Sequence, residues 1–160
     1  MDLAALIATI RTTADCVVFP PSGLPVVEPD HQLPDDLLAF YRICGGIDLF
    51  TEAAFPTRIA TPAEFTVATP VIFNGVPPED LAATLGEPSW SWYIVAYGPN
   101  SHYITVDLDP SRLGTYYNSF WMLHPGNSPV IARSLAEVLS NLLATAGAFY
   151  WFDDNPPAAL

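Results

Sequence analysis

LPDDLLAFYRICGGIDLF, residues 33–50, reads as one helix with both of its ends written out. Pro34 fits a first turn, where its missing N–H removes no intrahelical bond. Asp35 and Asp36 set negative charge against the positive end of the helix dipole. Leu37, Phe40, Tyr41 and Cys44 then recur at the i, i+3, i+4, i+7 spacing of an apolar face. Gly45-Gly46 supplies a residue able to turn left-handed and stop the helix. The segment specifies a scaffold. It carries no chemistry of its own.

Upstream, Leu3, Leu6, Ile7 and Ile10 predict an amphipathic first helix with Asp2 as its cap and an end near Ala14. Pro20, Pro21, Pro25 and Pro29 turn residues 16–33 into an extended surface crossing. Downstream, Thr61-Pro62-Ala63-Glu64-Phe65 predicts one short helical turn with Thr61 as N-cap. Val71-Ile72-Phe73, between Pro70 and Asn74-Gly75, reads as a brief strand. Residues 76–90 hold Pro77, Pro78, Gly86 and Pro88 and read as a loop with one helical turn around Leu81.

Trp92 to Tyr97 and His102 to Leu108, joined by Gly98-Pro99-Asn100-Ser101, predict a hairpin. Alternation places His102, Ile104 and Val106 on one face and Tyr103, Thr105 and Asp107 on the other. Gly114 to Asn118 and Pro129 to Ala132 read as two further strands. Ser134 and Glu137 form the capping box of a last helix. Its apolar period takes in Ile131, Leu135, Val138, Leu139, Leu142 and Ala146, and Gly147 ends it. Phe149, Tyr150, Trp151 and Phe152 follow, expected to be partly exposed, before Asp153-Asp154 and a frayed end. The order helix, helix, strands, helix predicts a single α+β domain over residues 1–160 with a largely antiparallel sheet.

At 160 residues the chain is long enough to bury about two-thirds of its unfolded surface. With 51% hydrophobic and only 14% charged residues it is a packed globule, not a disordered acidic tail. Seventeen Asp and Glu against 5 Arg and no Lys give a formal charge of -12. Such a chain repels nucleic acid and anionic membranes and attracts cationic partners. The same charge would also serve to keep an apolar protein soluble. Leu3 to Ile10 is too short and too acidic at its start for a signal peptide, and no run reaches the roughly 20 apolar residues of a membrane helix. Cys16 and Cys44 read as free thiols, which fits a cytoplasmic protein, with one disulfide as the alternative.

Reactive constellations are sparse. His31, His102 and His124 pair with no other ligand at a metal spacing, and neither HExxH nor CxxC occurs. No GxSxG elbow or glycine-rich phosphate loop is present. His102 reads as a hydrogen-bonded, half-exposed histidine, with a ligand or general base as the alternative. Asp107 and Asp109 lie two apart, the spacing of a carboxylate pair on one strand face, yet Asp109-Pro110 opens a turn that explains them structurally. Trp90, Trp92, Trp121 and Trp151 lack the basic groove that accompanies base-stacking platforms. They read as core and interface residues. No catalytic, cofactor-binding or metal site is expected.

Three motifs in this order resemble the SUKH superfamily, the Smi/Knr-type domain of cell-wall-assembly regulators. They are the LP-acid-acid helix ending at Gly45-Gly46 and leading to Leu49-Phe50, the hairpin of Trp92-Tyr93-Ile94-Val95-Ala96 and Tyr103-Ile104-Thr105-Val106-Asp107, and Val130-Ile131-Ala132-Arg133-Ser134-Leu135 entering the last helix. Together they span roughly residues 33–146. The resemblance implies an α+β fold with a mixed sheet flanked by helices. It also implies a non-enzymatic binding protein, since the superfamily holds fungal regulators and bacterial immunity proteins that bind toxins directly. The chain's size fits the bacterial branch. The expected partner is then a basic toxin domain, met by acids in predicted loops: Asp48, Glu52, Glu79, Asp80, Glu87, Asp107 and Asp109, with Trp90 as an aromatic anchor. A scaffold module with an endogenous protein partner is the alternative.

Overall fold

The computed structural model describes residues 2–151. Its elements run α1 (Leu3–Arg11), β1 (Val17–Val18), α2 (Asp35–Ile43), β2 (Ile47–Leu49), β3 (Thr57–Ile59), α3 (Ala68–Ile72), α4 (Pro78–Ala82), a 3-10 turn (Pro88–Ser91), β4 (Trp92–Tyr97), β5 (Tyr103–Asp107), β6 (Tyr116–Asn118), β7 (Val130–Ala132) and α5 (Leu135–Ala144). The seven strands lie in chain order in one sheet, and every pairing is antiparallel. This is the expected α+β fold. The mixed sheet implied by the resemblance is antiparallel throughout the described residues.

Two glycines decide where that sheet begins. The chain leaves α2 at Cys44 in extended conformation. Gly45 then passes so close to the proline-rich crossing that a Cβ on it would lie 2.3 Å from the Pro20 carbonyl oxygen. Only glycine permits that approach. The Gly45 N–H donates to the Phe19 carbonyl, and the Phe19 N–H donates to that of Gly46. The pair therefore starts the β1–β2 ladder, and the expected left-handed glycine stop is corrected: the helix already ends at Cys44, which is extended. Strands β1, β2 and β3 were not expected from the sequence.

Helices α1, α2 and α5 cover one face of the sheet. Ile7 and Ile10, Leu37 and Phe40, and Leu135 and Leu139 are buried there against Ile47, Ile59, Val106 and Tyr116. Burying each large apolar side chain contributes about 1.5–3 kcal/mol. Asp36 does more than complement a dipole. Its Oδ2 accepts from the Tyr116 hydroxyl at 3.1 Å and from the Leu135 N–H at 2.6 Å, tying the starts of α2 and α5 to β6. The α5 capping box forms with Ser134 Oγ accepting from the Glu137 N–H at 3.1 Å, while Glu137 reaches back to the Arg133 N–H. Ile131 lies in β7 instead of the helix.

A second, smaller core covers the other face, here called the back face. A register shift in β4 between Ile94 and Ala96 turns Val95 and Ala96 both toward the helices, leaving Trp92 and Ile94 behind the sheet. There they meet Ala68 and Ile72 of α3 and Tyr117 of β6. The expected strand at Val71-Ile72-Phe73 is instead the end of α3. Three apolar residues cannot distinguish the two periods, and Pro70 is tolerated in a first helical turn.

After α5, Gly147 adopts φ +84° and its N–H donates to the Leu142 carbonyl at 2.9 Å, closing the helix. Phe149 and Tyr150 are buried against the expectation of partial exposure, whereas Trp151 is half-buried as expected. Phe152, Asp153 and Asp154 lie outside the described residues. Cys16 and Cys44 are free. Cys44 is buried, and burial pushes its thiol pKa up.

Candidate protein-binding face

The acids expected in loops separate into three kinds once their surroundings are known. Asp107 closes β5 with no exposure at all. Its Oδ1 accepts from Ser91 Oγ at 2.6 Å and from the Asp109 N–H at 2.9 Å. Its Oδ2 accepts from Trp92 Nε1 at 2.9 Å and from Arg112 Nε at 2.6 Å. A carboxylate so enclosed is not available to a partner, and the expectation that it lies on an exposed rim is corrected. The hairpin brings its neighbours together: Trp92 sits opposite it in the β4–β5 register.

Asp48 and Asp109 are neutralised where they stand. Arg58 donates to both oxygens of Asp48, Nε to Oδ1 at 2.7 Å and Nη2 to Oδ2 at 2.9 Å, and its Nη1 reaches Glu64 at 3.1 Å. This triad raises the Arg58 pKa, chiefly through the Asp48 and then the Glu64 hydrogen bond. Asp109 accepts from the Ser111 N–H and lies 3.7 Å from Arg112. Those Ser111 hydrogen bonds hold its carboxyl below the usual range. Glu52 is exposed in the turn after β2.

Glu79, Asp80 and Glu87 belong to residues 74–90, an arm between α3 and β4. None of the three takes part in an ion pair among the described residues, and the arm contains no Lys or Arg. All three are exposed, and α4 within the arm buries no side chain. Trp90 is half-buried at the foot, where its Nε1–H donates to Thr84 Oγ1 at 3.0 Å and pins the arm back on itself. The foot is bolted to the sheet by the Ser91–Asp107 bond and by the Leu108 N–H donating to the Ser91 carbonyl.

The histidines occupy separate structural positions. His31 Nδ1 lies 2.8 Å from the Tyr93 hydroxyl. His102 Nδ1 lies 2.8 Å from the Pro99 carbonyl, with its ring stacked on Phe120 at 4.4 Å. His102 and Asp107 stand at opposite ends of β5, about 17 Å apart along the strand. They do not converge. His124 is buried in the back-face core between Thr69 Oγ1 at 3.2 Å and Ser119 Oγ at 3.3 Å, and burial pushes its pKa down to about 4. No group of three or more His, Cys, Asp or Glu is placed to hold a metal ion among the described residues. No helix among them is long and apolar enough to cross a membrane.

Sequence reasoning read Trp121 as a core or interface residue and did not single out Met122 or Leu85. Trp121 and Met122 follow Phe120 in the loop between β6 and β7 and are 50% and 66% exposed. Leu85, on the arm, is 62% exposed. The available signal was two adjacent large apolar residues beside Pro125-Gly126-Asn127, a setting where solvent exposure is the usual outcome.

The element order and the antiparallel sheet define an α+β domain in which Asp107 and the three histidines are held by internal hydrogen bonds. The chain belongs to the SMI1 / KNR4 family (SUKH-1), whose model matches residues 29–141. It is also 38% identical over 158 residues to "Immunity protein YokJ" of Bacillus subtilis (strain 168), an alignment covering 97% of this chain and 92% of that protein. No solved structure gives a significant match.

Proposed function

We propose that this chain is an immunity protein that neutralises a toxin domain by binding it directly, without catalysis. Its 38% identity to an immunity protein over nearly the whole length of both chains carries the reading. The charge of -12 supports a basic partner, because opposite fields steer encounter and accelerate it by about 10- to 1000-fold. Of the candidate acids, Glu79, Asp80 and Glu87 contribute most to that steering. Asp48 and Asp109 contribute less because arginines already face them. Glu52 adds an isolated charge. Free Cys16 and Cys44 support a reducing cytoplasm as the place of action.

The test is co-expression with the toxin-like domain encoded beside this chain's gene. Growth of an otherwise poisoned host is expected to be restored, with the two proteins co-purifying. Failure of rescue despite soluble protein, or the absence of any such neighbouring domain, overturns the reading.

A further inference from the structure

We propose that the partner docks on the back-face layer formed by the arm and the 119–124 loop, and that it presents a cationic surface with an apolar recess. This rests on the immunity reading above and specifies where it is carried out. Both segments adjoin the back-face core: the arm continues the chain from α3, and His124 of the loop meets Thr69 of α3 with its ring tilted 5.5 Å from that of Phe73.

Charge argues for the arm. Its three carboxylates are solvent-exposed and stand without a cation among the described residues. Apolar exposure argues for the pair. Leu85, Trp121 and Met122 supply large side chains that water surrounds in the free protein, and Trp and Met are enriched at interface cores. Acids on one segment and apolar anchors on the other would be complemented by a positively charged partner with an apolar recess that spans both. At the foot of the arm the Ser89 hydroxyl is buried and has no hydrogen-bond partner among the described residues. The rival surface is Leu24 and Val26 on the proline-rich crossing. It too carries exposed acids, Glu28 and Asp30, but its exposed large apolar residues are aliphatic and include no aromatic anchor.

Stopped-flow kinetics with the neighbouring gene's toxin-like domain decide the matter. E79Q/D80N/E87Q is expected to slow association about 10-fold at low salt and to flatten its salt dependence. W121A/M122A and L85A are each expected to raise the dissociation rate about 10-fold with association little changed. L24S/V26S is expected to match the unaltered protein. All these side chains are exposed or on the arm, and an unchanged urea midpoint verifies that each variant is folded. Arm and loop variants that bind like the unaltered protein overturn the docking face while leaving the immunity reading intact. Loss of binding confined to L24S/V26S does the same. If the unaltered protein does not bind the domain, the immunity reading fails and the docking face falls with it.

Discussion

Asp107 was legible as an acid at the end of a strand, but its burial was not. Sequence alternation puts it on the face opposite Ile104 and Val106, which a two-layer domain would leave to solvent. Here α3 and the 119–124 loop cover that face, and the carboxylate becomes the acceptor for Ser91, Trp92 and Arg112. Removing it strands those donors. Asp107→Ala is expected to lower the unfolding free energy by about 3–5 kcal/mol in urea titration, and Asp109→Ala to leave the urea midpoint nearly unchanged. A small loss for Asp107→Ala would return that residue to the surface candidates.

His124 makes a second prediction at this scale. Its unfolded imidazole takes a proton near pH 6.5, whereas the buried ring resists until about 4. Between those values the unfolded state holds more protons, so stability falls as the pH falls. The contribution is fully present above about pH 6.5, and about 3 kcal/mol of it is lost by pH 4. Urea midpoints measured from pH 7.5 to 4 are expected to drop less steeply in His124→Gln than in the unaltered protein. Parallel curves would show that the ring is not shielded.

At the scale of elements, what repeated over two or more turns could be read. Residues 35–43 and 135–144 form helices whose buried residues keep the expected period, and Asp2, Asp35, Asp36 and Ser134 stand where the helix starts require them. The β4–β5 hairpin was legible because two β-branched and aromatic runs flank a four-residue turn. Strands β1, β2 and β3 hold only two or three residues each, too few to display alternation. Their pairing depends instead on the close passage of Gly45 against Phe19 and Pro20, a long-range contact that no local pattern announces. Gly45→Ala tests that passage. Amide exchange at Phe19 and Gly45 is expected to lose most of its protection, with α5 amides retaining theirs relative to global stability. Unchanged protection at Phe19 would mean the crossing is held by other contacts.

Across the whole molecule, the two faces of the sheet divide the work. The helix-covered face supplies most of the apolar burial, and its residues are the ones the family motifs encode. The back face holds a thinner core, and the two segments that adjoin it carry exposed acids on the arm and exposed Trp121 and Met122 on the loop. Composition made the negative field legible at once, because 17 acids against 5 arginines cannot be hidden by folding. Where that field concentrates was not legible. Arg58 and Arg112 cancel acids within ten residues of them in sequence, but spacing alone does not say which, and the fold reveals which carboxylates remain. Partner binding by charge and apolar contact, with no reactive group, is the central claim. Hydrogen exchange of the complex with the neighbouring toxin-like domain measures it most directly. New protection over residues 74–90 and 119–124, with α1 and α5 unchanged, is the predicted footprint. Protection confined to the α1–α5 side, or no protection anywhere, would contradict it.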